Sequence, residues 1–249
     1  MKILYAGDSP AGGPANYLLG ILRHCKAEVV HVPPSEKIPP SLSSKRFDAI
    51  ILSDFSKKNL PAPAEKNIAR QVRDGAGLLM VGGWGSFSGP FGGWRDSEIE
   101  ELLPVRCSSG DDRLNFPSGA KLVFKKRHSV LQGLSSTDTP VICGINQVLP
   151  KAKAEIALTA RRLRDNREFP LLVFSCEYRT AAFATDFAPH WCGGLVDWGK
   201  KSVRLPVAKG IQIEIGETYL QFASQLIRYL SLRTKQKFPK LVNLYFKSS

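Results

Sequence analysis

No apolar run in the sequence approaches the ~20 residues that a bilayer-spanning helix needs. The opening Met1-Lys2-Ile3-Leu4-Tyr5-Ala6-Gly7-Asp8 reads as a first strand and lacks the layout of a secretory leader. A cytoplasmic chain with no membrane contact is the expectation. Cysteine is scarce and scattered: Cys25, Cys107, Cys143, Cys176 and Cys192 are odd in number and form no C-x-x-C pair. That spacing gives neither a disulfide framework nor a zinc site, and most are expected to be buried thiols. The four histidines, His24, His31, His128 and His190, make no H-x-H or H-x-x-x-H pair, so no metal is expected. Phosphate loops are missing too. There is no G-x-x-x-x-G-K-[ST], and Gly83-Trp84-Gly85-Ser86-Phe87-Ser88 lacks the third glycine of G-x-G-x-x-G. Nothing calls for a cofactor.

Acidic residues are outnumbered, 22 Asp and Glu against 35 Lys and Arg, for a net charge of +13. Such a balance favours polyanionic partners in general. Yet Lys57-Lys58, Lys125-Lys126-Arg127, Arg161-Arg162, Lys200-Lys201 and the segment 233–240 lie in separate parts of the chain, without interleaved aromatics. A solvated basic surface fits better than a nucleic-acid interface.

What is present is a core-forming α/β pattern. With 249 residues and 43% apolar content, one large domain over 1–232 is expected. The tail 233–249 is basic but carries Phe238, Leu241, Leu244, Tyr245 and Phe246, which makes it a candidate arm for homo-oligomerisation. Strands are expected at 2–6, 28–32, 47–54 and 78–81, with helices at 14–25 and 61–74. Strands alternating with helices over short connections imply a doubly wound, mostly parallel sheet with helices on both faces. A short helix at 96–103, strand-like pieces at 121–125, 141–148 and 154–159, and a hairpin formed by 171–178 and 180–186 follow. The strand-like pieces read as an added antiparallel layer at one edge. A final helix at 217–232 shows Leu220, Ala223, Leu226, Ile227 and Leu230 in core-facing spacing.

In such sheets ligands sit beyond the carboxyl ends of the strands. Those ends present Asp8, Asp54, the glycine-dense turn with Gly83, Trp84, Ser86 and Phe87, and a late group of Asp186, His190 and Trp191. Glycines permit close backbone approach there, Trp84 and Phe87 supply flat apolar surface, and Ser86 supplies a hydroxyl. Together they suit a rim that binds a small polar ligand. The alternative is a surface turn whose aromatics cap the sheet, with His190 a hydrogen-bonded structural residue.

Four segments carry a resemblance. They are Gly75-Ala76-Gly77-Leu78-Leu79-Met80-Val81-Gly82-Gly83-Trp84-Gly85-Ser86-Phe87, Ile99-Glu100-Glu101-Leu102-Leu103-Pro104-Val105, His128-Ser129-Val130-Leu131-Gln132-Gly133-Leu134 and Ala181-Ala182-Phe183-Ala184-Thr185-Asp186-Phe187-Ala188-Pro189-His190-Trp191. In these the chain resembles the glutamine amidotransferase-like proteins, related in fold to class I glutamine amidotransferases and to the ThuA-like group. The resemblance implies a flavodoxin-like α/β sandwich. It also implies where catalysis would sit: an elbow cysteine after the central strand, and an H-x-E pair near the end of a late strand. This chain has neither, so glutamine hydrolysis is not expected, and binding of a small ligand at the strand ends is. An alternative is a hydrolase with His190 and Asp186 as catalytic acid-base pair and water or Ser86 as nucleophile. A basic nucleic-acid-binding scaffold is the third.

Overall fold

The strand segments at 3–7, 49–53 and 77–81 are buried along their whole length, as a sheet covered from both sides requires. The computed structural model describes residues 1–10, 13–42 and 44–232. Its elements run β1 (Lys2–Gly7), α1 (Ala15–His24), β2 (Glu28–Val32), β3 (Ala49–Ser53), α2 (Ala62–Arg73) and β4 (Gly77–Val81). Next come α3 (Glu98–Leu102), β5 (Val105–Arg106), β6 (Arg113–Phe124), β7 (Val141–Asn146), β8 (Leu149–Pro150), β9 (Ala154–Arg162) and β10 (Glu168–Ser175). The chain continues through β11 (Thr180–Phe183), α4 (Pro189–Cys192), β12 (Ser202–Ala208), β13 (Ile211–Gly216) and α5 (Glu217–Ser231).

Nine strands form one mixed sheet in the order β2-β1-β3-β4-β11-β10-β9-β6-β7. The first five are mutually parallel. From β11 onward every neighbour is antiparallel, so the antiparallel strands expected at one edge extend this same sheet. The parallel half has the flavodoxin-like order, with its switch point between β1 and β3. From β1 the chain steps outward to β2, whereas from β3 it steps the other way to β4. Right-handed crossovers therefore put α1 and α2 on opposite faces. In keeping with this, α1 meets α5 and α2 meets α3.

Register is what builds a rim. Gly7 pairs with Ser53, Ser53 with Val81, and Val81 with Phe183, so four parallel strands end level. The residues that follow each strand must emerge side by side. Beneath them the core is closed by α5, whose Leu220, Ala223, Leu226, Ile227 and Leu230 are all buried, a leucine of this kind contributing roughly 2 kcal/mol. At α3, the Ser97 hydroxyl accepts the Glu100 N–H at 3.0 Å, which caps the helix.

Three strands depart from expectation. β6 begins at Arg113, well before 121, and breaks register between Asn115 and Ala120, where Pro117 and a left-handed Gly119 sit in a bulge. β12 and β13 form a separate two-stranded sheet over α1. The expected oligomerisation arm at 233–249 lies outside the described residues.

Candidate functional site

Each strand end is held so that its next residues turn into the rim. At Gly7, φ is 125°, and a Cβ there would lie 1.5 Å from the Ser53 carbonyl oxygen, so only glycine lets β1 and β3 end this close. Asp8 follows with φ 45°, its N–H donating to Ser53 O at 3.1 Å, and its carboxyl receives the Tyr5 hydroxyl at 2.6 Å. Asp54 also adopts a left-handed conformation, φ 50°, which aspartate tolerates better than most residues. Its own N–H donates to Ser86 Oγ at 3.0 Å, while its carboxylate accepts the Gly85 N–H. The end of β3 is thereby tied to the glycine turn.

That turn is clamped from the other side as well. A Cβ on Gly82 would come within 2.4 Å of Ala184 O, and the Gly82 N–H donates to the carbonyls of Phe183 (2.8 Å) and Thr185 (3.0 Å). Asn146, at the end of β7, accepts from Gly83 N at 2.9 Å and donates to Gly83 O at 3.3 Å and to Asp112 at 2.6 Å. Asp112 in turn accepts the Ser88 N–H at 2.9 Å. On the β11 side, the Asp186 carboxylate accepts the Ala188 N–H at 2.9 Å. Trp84 is left 45% exposed on this fixed base, with the Phe91 ring 6.2 Å away at 25° and the Arg113 guanidinium 4.0 Å above its ring.

The result is a cleft of about 840 Å³ at the carboxyl ends of β1, β3, β4 and β11. Its floor carries Asp8, Asp54 and Asp186; its walls include Tyr17, Gly83, Trp84, Phe91 and Trp191; Lys58 and His190 stand exposed at the mouth. Burial raises all three carboxyls above their ordinary range. Asp8 reaches about 7, with burial the main cause, the hydrogen bond from the Tyr5 hydroxyl opposing it and the charge of Asp54 adding to it. Asp54 is raised by burial against the backbone N–H groups of Gly85 and Trp84. Asp186 lies well above the usual value, first through burial and then through the charge of Asp8. Among the described residues no ion pair joins any of the three to a cation. Nor do three or more His, Cys, Asp or Glu side chains among them form a group that could hold a metal ion.

The residues singled out from the sequence divide accordingly. Asp8, Asp54, Gly83, Trp84, Asp186, His190 and Trp191 line the cleft. Ser86 and Phe87 do not, which corrects their assignment. Ser86 is 1% exposed with its oxygen bound to the Asp54 N–H, and Phe87 is fully buried beneath the turn. Neither can present its side chain to a ligand, and Ser86 is no accessible nucleophile. His190 and Asp186 both face the cleft, but no hydrogen bond or ion pair joins them, and the Asp186 carboxylate is turned to Ala188 N. Trp191 is nearly buried, its indole N–H donating to Asn115 at 3.0 Å. Cys192 is fully buried, donates its S–H to Ala188 O at 2.7 Å, and is kept a thiol by burial. Tyr17, Lys58 and Phe91 were missed as lining residues. Asn146 was missed as the clamp of the turn, and its place 63 residues from Gly83 left no local signal.

Comparisons with known proteins follow the same outline. The sequence profile of a family described as putative glutamine amidotransferase matches residues 11–207, a span that includes every cleft residue named above except Asp8. No curated protein matches in sequence. Among solved structures, cytoplasmic protein STM3548 from Salmonella typhimurium superposes with a TM-score of 0.71 at 25% identity, covering 92% of this chain and 98% of that one. Cytoplasmic protein STM1381 from Salmonella typhimurium LT2 gives the same score and identity over 92% and 99%. A ThuA-like protein from Bacteroides uniformis shares the fold at a TM-score of 0.55 and 11% identity, over 92% and 91%.

Proposed function

Because the chain belongs to the putative glutamine amidotransferase family, we propose that it is a member that has kept the family's cleft as a binding site for a small polar ligand and does not hydrolyse glutamine. One observation carries this reading: among the described residues no cysteine lines the cleft, and Trp84 projects from the turn where a nucleophile would stand. Attack on an amide carbon needs a thiolate and a base to activate it. Cys192, the cysteine nearest the rim in sequence, is buried and held as a thiol. The position two residues after His190 is that same Cys192, so the H-x-E acid is missing as well.

A concave site with apolar walls and a few convergent polar groups is what ligand recognition requires. The three carboxyls supply acceptors, and donors where protonated, while Trp84 and Phe91 supply flat surface. We place the protein in the cytoplasm, in line with the two Salmonella relatives named as cytoplasmic proteins. The test has two arms. Purified protein incubated with glutamine is expected to release no ammonia above the buffer rate, and small polar compounds are expected to raise its melting temperature in wild type but not in Trp84→Ala. Ammonia release abolished by Cys192→Ala would overturn the first half. Equal stabilisation of Trp84→Ala would overturn the second.

A further inference from the structure

The geometry points to a small organic cation as the ligand of this cleft: an amine whose ammonium group lies among Asp8, Asp54 and Asp186 and whose apolar body lies on Trp84 and Phe91. The inference rests on the reading of the cleft as a ligand site and adds the charge of the ligand. Three carboxyls converge on one cavity, and none has a cationic partner among the described residues, although the chain holds 35 Lys and Arg to its 22 Asp and Glu. Burial pushes all three toward the protonated form, and a cation seated among them would favour the ionised form that burial disfavours. Here the missing partner has room to enter from outside, since the cavity of about 840 Å³ opens over all three.

The apolar wall is a separate observation, and it agrees. Trp84 and Phe91 are 45% and 58% exposed, unusually high for large aromatics, and their rings lie near parallel beside the carboxyls. Aromatic faces attract cations, and the Trp84 ring already holds the Arg113 guanidinium at 4.0 Å. A neutral polyol could hydrogen-bond to the carboxyls but would not offset the cost of ionising them in a buried place. An anion would meet them unfavourably, with exposed Lys58 at the mouth and with Arg113, on the Trp84 ring, already paired with Asp111.

Phenethylamine and 2-phenylethanol share a carbon skeleton and differ in charge, so they separate the ionic contribution from the apolar one. Titration calorimetry at about pH 8, where Lys-like amines are charged, is read together with amide NMR shifts that locate each probe. The amine is expected to bind about tenfold tighter than the alcohol, a difference of about 1.4 kcal/mol, with shifts at Asp54 and at residues 83–85. Asp54→Asn and Asp186→Asn are expected to remove most of that preference while leaving the alcohol unchanged. Asparagine also tolerates the left-handed backbone at position 54. Trp84→Ala is expected to weaken both probes alike. Alcohol binding in the cleft as tight as the amine would overturn the inference and leave the cleft reading standing. Shifts confined to the separate basic groove that holds Lys125, Lys126 and Arg127 would overturn both, and amine binding unaffected by either asparagine variant would overturn the inference.

Discussion

Replacing Asp8 by asparagine changes the pH dependence of stability in a way that follows from where the carboxyl sits. Asp8 is 5% exposed, and burial lifts it from 3.8 to about 7. Below about pH 4 both the folded and the unfolded chain hold this proton, and the group adds no pH dependence. Between there and about pH 7 the folded chain holds a proton that the unfolded chain has released, so stability falls as pH rises. Above about 7 the folded carboxylate is ionised too, and the loss is complete. A rise of roughly three units at 1.36 kcal/mol each amounts to on the order of 4 kcal/mol. The asparagine side chain in Asp8→Asn would keep an oxygen for the Tyr5 hydroxyl and would tolerate φ 45°. It cannot ionise. Urea denaturation of wild type and Asp8→Asn at half-unit steps is expected to give near-equal stability at about pH 3.5 and a variant more stable by a few kcal/mol at about pH 8. A stability difference that stays constant across this window would refute the assignment of Asp8 as a buried, charge-penalised carboxyl.

Asn146→Ala removes both partners of Gly83 and the donor to Asp112. It should cost about 2–5 kcal/mol, because buried polar groups are left unsatisfied, and chemical denaturation checks it. Gly82→Ala drives a Cβ to 2.4 Å from the Ala184 carbonyl oxygen, a backbone atom that cannot swing aside. A loss of about 1–3 kcal/mol is expected, and a loss under ~0.5 kcal/mol would show that the strands can separate there. His128 stacks on Phe174 at 3.9 Å, accepts the Val130 N–H, and burial lowers it from 6.5 to about 4. Its ring resonances should titrate with a midpoint near 4. Because the unfolded chain takes up this proton first, His128 should cost stability as pH falls from about 6.5 to about 4.

The parallel half of the fold was legible because its strands, such as Leu78 to Val81, are short apolar runs closed by glycines, and its helices carry 3-4 stripes such as that of α5. The candidate rim was legible for the same reason: strand ends in a parallel sheet must align, and Asp8, Asp54, Trp84 and Asp186 each follow one. Ser86 and Phe87 were misassigned because a sequence shows that a turn is glycine-rich but not which of its side chains fold back. A left-handed Phe87 sends its ring into the core. The start of β6 was hidden by Pro117 and Gly119, residues that sit in a bulge and mimic a loop. β12 and β13 carried a signal that was overlooked. Val203, Leu205 and Val207 alternate with polar or exposed residues, as do Ile211, Ile213 and Ile215. The clamp by Asn146 and Asp112 had no local signature, since it depends on β6 and β7 returning to the turn through the antiparallel edge.

Crystals soaked in a library of small polar molecules test the central claim most directly, because they report where a ligand sits without presuming which ligand it is. The account predicts bound molecules among Asp8, Asp54, Trp84 and Asp186, with the glycine turn unmoved. Molecules seated only elsewhere, with this cleft empty in every soaked crystal, would contradict it.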